Sequence, residues 1–410
     1  MVQNDGSVAR GSQFEVFRAA LRLGLTSFGG PTAHIGYFER TYVERLQWLS
    51  REDFAGLMAL CQMVPGPSSS QLGMLVGLRR AGFMGGLAGW VGFTLPSALA
   101  MTLLALLLRL GVRLSPVALD VLHGLKLVAV AIVAQALWSM ARSLCPDWRR
   151  RLIAVAGLGI MLGTVQAGAQ LLALVVGGVL GAAFCAARAP APITSANSVS
   201  RRTGLAALGL FALLLVLAIG AATLGLRGPI GLAAIFYRAG ALVFGGGHVV
   251  LPLLRQSLVP TGWLDDQGFL AGYGAAQALP GPLFTLAAYL GAACAPAGAG
   301  WLVAMLWSAG ALVAIFLPGL LVATGALPLW EWIGRHARAQ GALAGLNAAV
   351  VGLLATAFYD PVARTALLRP VDGAIALIGL ALLMRWRVPP LGVVVLTVLA
   401  SVLAGQHGAG

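Results

Sequence analysis

The chain has 410 residues, of which 59% are hydrophobic and 10% charged, with a formal net charge of +14. A soluble domain carries about a quarter charged residues, so this composition excludes a water-facing surface over most of the chain. The basic excess, 27 Lys plus Arg against 13 Asp plus Glu, lies between long apolar runs. That is how arginines fix membrane topology, and it argues against nucleic acid as a partner.

A polar tail, 1–13, has no cleavable-signal pattern. Apolar segments follow at about 14–36, 54–78, 82–108, 116–141, 151–164, 166–187, 203–226, 229–251, 268–293, 297–324, 341–359, 371–385 and 388–405. A membrane-spanning helix needs about 20 mostly apolar residues. The pairs 151–164/166–187 and 371–385/388–405 are short and closely joined, as hairpins would be. The stretch from Arg188 to Arg202 is rich in Pro, Ser, Thr and Arg and reads as a cytoplasmic linker.

The landmarks recur. Phe28-Gly29-Gly30 returns as Phe244-Gly245-Gly246, and Trp48-Leu49 with Phe54 as Trp263-Leu264 with Phe269. Gln62-Met63-Val64-Pro65-Gly66-Pro67 returns as Gln277-Ala278-Leu279-Pro280-Gly281-Pro282, and Leu95-Pro96 as Leu317-Pro318. The chain is therefore an internal duplication: a tail (1–13), a first repeat (14–187), the linker (188–202), a connecting helix (203–228) and a second repeat (229–405). The expected fold is an all-α polytopic membrane protein with about six spans per repeat. The connecting helix between them makes the repeats inverted, a transporter architecture. With the N-terminus in the cytoplasm, arginines fall about two to one on the inner side. That count sets Arg79, Arg80 and Arg255 inside, and Arg40, Arg45, Arg51 and Arg227 outside with Glu39, Glu44, Glu52 and Asp53.

Two prolines around a glycine should break a helix outright. Broken backbone at membrane depth is tolerated only inside protein or beside a water-filled cavity. After Pro65-Gly66-Pro67 the next half-helix starts Ser68-Ser69-Ser70, offering free amides, a positive dipole end and hydroxyls to an anion. After Pro280-Gly281-Pro282 the chain reads Leu283-Phe284-Thr285, with one hydroxyl. Either break could instead serve packing alone. Gly29 and Gly30, with Gly245 and Gly246, allow amides or helices to approach closely. His34 and His248 follow them as candidates for proton coupling, or as plain helix-end histidines. Lys126, the single lysine, lies inside an apolar run, and Arg22 and Arg238 stand at equivalent positions before each Phe-Gly-Gly. Intramembrane cations usually face the bundle interior; a snorkelling side chain is the plainer account of Lys126. Asn347, Gln62 and Gln277 add polar groups. The four cysteines have no metal or redox spacing. No Walker lysine, His-Glu-x-x-His or Gly-x-Ser-x-Gly occurs, so no enzyme, metal or cofactor is expected.

The duplicated Phe-Gly-Gly, Trp-Leu and Pro-Gly-Pro elements resemble the chromate transporter family in its long, two-domain form, over about 14–405. Gly247 in place of Pro31, and Gln277-Ala278-Leu279 in place of Gln-Met-Val, mark divergence between the halves. The resemblance implies a multi-pass carrier of the bacterial inner membrane that exports chromate, driven by membrane potential or protons and not by ATP. It implies sulfate, the isosteric dianion, as competitor or co-substrate, and it leaves a homodimer open. Uptake or exchange of sulfate or another oxyanion, and an anion channel, are the alternative functions.

Overall fold

The computed structural model describes residues 11–28, 30–110, 116–163, 169–185, 199–243, 250–386, 388 and 390–406, and among them every regular element is helical. The first repeat holds α1 (Gln13–Thr26), α2 (Gly30–Phe38), α3 (Arg51–Met63), α4 (Ser68–Arg109), α5 (Pro116–Leu144), α6 (Trp148–Gly163) and α7 (Ala169–Phe184). The connecting helix is α8 (Arg201–Thr223). The second repeat holds α9 (Gly228–Leu242), α10 (Val250–Leu258), α11 (Asp266–Ala278), α12 (Leu286–Ala293), α13 (Trp301–Ala326), α14 (Trp330–Arg335), α15 (Ala337–Ala357), α16 (Arg364–Ala366), α17 (Pro370–Met384) and α18 (Pro390–Gln406). Among the described residues, five helices are long and apolar enough to cross a membrane: α4, α5, α8, α13 and α15.

Local chemistry sets the starts. Ser50 caps α3 by accepting from the Asp53 amide at 3.1 Å. At the duplicated position, Asp265 caps α11 by accepting from the Gly268 amide at 2.8 Å. Ala81 and Gly82 leave helical geometry inside α4, dividing it into limbs 68–80 and 83–109.

The ends of the early elements show which of them cross. Arg79, ending the first limb of α4, pairs with Asp53, at the start of α3, at 3.2 Å. The Gly11 amide, just ahead of α1, donates to the Arg80 carbonyl at 3.0 Å. The Arg80 guanidinium lies over the Trp48 ring, 5.3 Å from its centroid. So α1–α2 and α3 with the first limb of α4 both enter and leave at one face. The expected spans 14–36 and 54–78 are re-entrant hairpins, and Arg51 and Asp53 share a side with Arg79 and Arg80. This corrects the charge count drawn from sequence.

The second repeat does the same at the opposite end. Arg109, ending α4, donates to the Ala292, Ala295 and Pro296 carbonyls at 3.1, 2.8 and 2.8 Å. Arg227, ahead of α9, donates to the Thr261 carbonyl beyond α10 at 3.4 Å. Arg255, which pairs with Asp266 at 2.7 Å, therefore belongs to the Arg109 face. The second limb of α4 separates the two faces by about 40 Å at 1.5 Å per residue.

The remaining helices are exchanged between repeats. α5 of the first packs on α17 and α18 of the second, and α15 of the second packs on α6 and α7 of the first. A side chain at Gly124 would meet the Val398 backbone at 2.7 Å. Its counterpart Gly345 is seated on Gly177 and Gly181, its would-be Cβ 2.6 Å from the Gly181 Cα. In lipid, where apolar burial drives little helix association, such close approach supplies the dispersion contact. α8 buries only small residues, Gly204, Ala207, Ala218 and Ala221, while Leu205, Leu213, Val216 and Leu217 face outward as they would toward lipid.

Candidate functional site

Four chain breaks meet in the middle of the molecule. Val64–Pro67 separates α3 from α4, and Leu279–Pro282 separates α11 from the 3-10 turn leading to α12. α1 ends at Ser27 and α9 at Val243. The Gly66 amide donates to the Val243 carbonyl at 2.7 Å, and the Gly281 amide donates to the Ser27 carbonyl at 3.0 Å. Each Pro-Gly-Pro is thus clasped to the residue just ahead of the Phe-Gly-Gly of the other repeat. The glycines are required: φ is +120° at Gly66 and +98° at Gly281. A side chain at Gly66 would come 2.7 Å from the Gly319 Cα, and one at Gly281 would come 2.8 Å from the Ser97 Oγ. Gly319 and Ser97 follow the duplicated Leu-Pro pairs. Ser97 lies near the middle of α4's second limb, so the breaks sit at mid-depth.

The first break is polar and enclosed. Pro65 through Gln71 are all buried, and α4 begins at Ser68 with no side-chain cap. Its first amides have no partner within the helix. Gln71 donates through Nε2 to the Pro65 carbonyl at 2.7 Å and to the Gly319 carbonyl at 2.9 Å, which identifies its other end as the amide oxygen. His34, 1% exposed, sets Nε2 3.2 Å from the Ser27 carbonyl and Nδ1 3.3 Å from Ser69 Oγ, with its ring edge-on to Phe93. The hydroxyls of Ser27, Ser70 and Thr94 and the Gln71 Oε1 are buried without a protein partner. Such groups cost about 1–3 kcal/mol each when left unmade.

The chromate transporter family model matches residues 14–182 and 230–405. The chain belongs to the chromate transporter family. It is 30% identical over 405 residues to the chromate transport protein of Pseudomonas aeruginosa, covering 95% of this chain and 91% of that one. It is 29% identical over 341 residues to a probable chromate transport protein of Synechococcus elongatus, covering 82% and 81%. The chromate transport protein of Cupriavidus metallidurans is 28% identical over 376 residues, covering 90% and 86%. No solved structure matches. The chain is thus a multi-pass membrane protein of a transporter family.

Of the residues singled out in this family member's sequence, Pro65, Gly66, Pro67, Ser68, Ser69, Ser70, His34, Pro280, Gly281 and Pro282 gather at the breaks. Gly30 begins α2, and Gly29, Gly245, Gly246 and His248 lie outside the described residues. Arg22 and Arg238 each stand five residues before their break, but Arg22 is exposed while Arg238 is half-buried with Nε unpartnered. Lys126 is half-buried on α5, a helix that packs chiefly on α18 and α17. The register that matches Gly124 with Gly345 matches Lys126 with Asn347, which is buried with its Oδ1 unpartnered. Gln62 is exposed, and the Gln277 Nε2 lacks a partner. Sequence reasoning missed Gln71, whose partners are far along the chain. It also missed the tie between His123 Nε2 and Asp372 Oδ1, 2.9 Å, which pins α5 to α17. Asp372 accepts further from the Leu368 and Arg369 amides at 3.1 and 2.8 Å, so it caps α17 as well.

Proposed function

We propose that the protein is a secondary transporter of the bacterial inner membrane that exports chromate from the cytoplasm and so confers chromate resistance. In this reading the repeats (14–187 and 229–405) are inverted, with the tail 1–13 and the linker 188–202 in the cytoplasm. Two facts support the orientation. The re-entrant pairs of the first repeat open at the Arg80 face and those of the second at the Arg109 face. Assigning Arg40, Arg45 and Arg51 to the Arg80 face, and Arg255 to the other, strengthens the basic bias of the N-terminal side.

The observation that carries the reading is the enclosed start of α4 at mid-depth, with the unpartnered hydroxyl of Ser70 in its first turn and that of Ser27, whose carbonyl is joined to it through His34 and Ser69. A tetrahedral dianion is held there by helix-start amides and hydroxyls. Arg238, and more remotely Arg22 and Lys126, supply positive potential. The clasps at Gly66 and Gly281 let the repeats rock against each other. Sulfate, of the same shape and charge, competes. Exporting a dianion toward a positive exterior gains about 2.3 kcal/mol per charge per 100 mV.

The test is flux in oriented vesicles. Inside-out vesicles energised interior-positive should accumulate labelled chromate saturably, with sulfate competing. Accumulation only in right-side-out vesicles would instead identify an oxyanion uptake carrier, and non-saturable flux a channel.

A further inference from the structure

His34 joins three things at one point. Its Nε2 faces the Ser27 carbonyl, the same oxygen that receives the Gly281 amide of the other repeat. Its Nδ1 faces Ser69 Oγ in the first turn of α4. A carbonyl only accepts, so Nε2 carries a hydrogen in every state of the ring. In the neutral ring Nδ1 is then an acceptor, and the Ser69 hydroxyl spends its hydrogen on it. Ser69 in that state turns only lone pairs toward the rest of the site, which an anion avoids. When Nδ1 takes up a proton, the bond reverses: Nδ1–H donates to Ser69 Oγ, and the Ser69 hydroxyl is free to donate elsewhere.

We propose that His34 and Ser69 form a proton-operated switch for the anion site, so that one proton is bound at His34 Nδ1 for each oxyanion bound at the start of α4. This rests on the transport reading given above. Two effects act in the same direction. The imidazolium attracts the anion through enclosed, low-dielectric surroundings, and the reversed Ser69 hydroxyl adds a donor beside the unpartnered hydroxyl of Ser70. By linkage, the anion favours the proton by the same factor as the proton favours the anion. A dianion entering with a proton carries one net negative charge into the mid-bilayer instead of two, which lowers the electrostatic cost of the occupied state.

Other charges do not decide the ring's state. The elements around His34 carry Glu15, Arg18 and Arg22 on α1, Glu39, Arg40, Glu44 and Arg45 on the π-helical turn that continues α2, Arg79 and Arg80 at the far end of the first limb of α4, and Arg109 at the far end of the second. α2 contributes Phe38 and no charge, and α4 contributes Phe93. Among the described residues the hydrogen-bond partners of His34 are Ser27 and Ser69, neither of them charged. The second repeat cannot copy the device, because Phe284 stands where Ser69 does.

The experiment uses the purified full-length protein with labelled sulfate, which stays a dianion through the neutral range, and chromate in parallel. Wild type should bind more tightly as pH falls, by at most about tenfold per pH unit for one linked proton. In lightly buffered solution it should take up about one proton per anion bound. His34→Gln can donate to Ser27 and accept from Ser69 as the neutral ring does, so it preserves the local bonds without titrating. It should bind weakly, with affinity varying less than about twofold across the same pH range. Ser69→Ala should keep a shallower pH dependence, since only the charge effect remains. A His34→Gln protein with the wild-type pH profile, or wild-type binding without proton uptake, overturns the switch while leaving the transport reading intact. Absence of binding of either anion at every pH overturns both.

Discussion

The two Pro-Gly-Pro breaks share a backbone and differ in what surrounds it. Both place a glycine at positive φ, both donate its amide to the other repeat, and both rest on the residue after a Leu-Pro pair. After the first come Ser68, Ser69, Ser70 and Gln71, all buried, with open hydrogen-bonding capacity. After the second come Leu283, Phe284, Thr285 and Leu286, equally buried. There the one hydroxyl is spent: Thr285 Oγ1 donates back to the Pro282 carbonyl at 2.8 Å. The helix start is a short 3-10 turn against Phe316, with Phe284 and Phe316 ring centroids 5.5 Å apart. Duplication thus preserved the hinge and divided the chemistry. One break keeps buried groups with open hydrogen-bonding capacity, and the other is lined by apolar side chains and a hydroxyl bonded to its own turn.

Substitution at the clasp glycines should have the largest effect. Gly66→Ala forces a side chain into positive φ, costing about 1–2 kcal/mol, and drives it against backbone, the Gly319 Cα at 2.7 Å. Transport should fall by more than about a hundredfold, or the protein should fail to accumulate. Gly281→Ala carries the same dihedral strain but meets the end of the Ser97 side chain, which can rotate away. Its loss should stay near tenfold. Flux in proteoliposomes and membrane yield measure both, and equal damage from the two would show that the clasps are not distinguished by their neighbours.

Gln71 comes next. Gln71→Leu installs the residue type its counterpart Leu286 already has, but strands the Pro65 and Gly319 carbonyls. Unmade bonds of buried carbonyls cost about 1–3 kcal/mol each, so the unfolding midpoint in detergent should drop by several degrees. A melting curve identical to wild type would mean that water reaches the first break freely.

Much of this could be read along the chain. Pro-Gly-Pro acts through the backbone at its own position, so the breaks and the duplication needed no tertiary information. Re-entrance was harder to see, because an apolar run shows that a segment lies in lipid, not that it comes out on the far side. Length gave no warning: the run 14–36 is long enough to span, whereas α1, at 14 residues, is about 21 Å long, short of the roughly 30 Å hydrocarbon thickness. The exchange of α6–α7 and α17–α18 between repeats was invisible, since a pseudo-symmetric pair of hairpins fits either neighbour by composition. The same holds for His34 with Ser69 and Gln71 with Gly319, pairs joined only when separate hairpins meet.

Hydroxyl deletions probe the asymmetry at its chemical core. Ser70 Oγ is fully buried and unpartnered, so Ser70→Ala should leave stability unchanged or improve it. It should at the same time weaken oxyanion binding about tenfold, the value of one hydrogen bond to a charged group at the lower end of its range. Thr285→Ala removes a hydroxyl already bonded to its own turn and should change affinity less than about twofold. Equilibrium binding of labelled sulfate with a parallel melting curve separates the two. Matching losses at Ser70 and Thr285 would restore the symmetric, two-site picture.

The smallest effects should come from the paired arginines, which the sequence presents as twins and the structure does not. Arg238 is half-buried on α9, five residues before Val243, with Nε lacking a partner, so its charge reaches the breaks through protein. Arg22, five residues before Ser27, is exposed on α1, so less of its charge reaches the breaks through protein. Arg238→Gln should therefore weaken chromate flux about threefold to fivefold with little dependence on salt, and Arg22→Gln less than about twofold, an effect that fades as salt rises. The reverse order would mean that the exposed face of α1 lines the anion's path, and that the polar break is approached along Arg22 instead of from the second repeat.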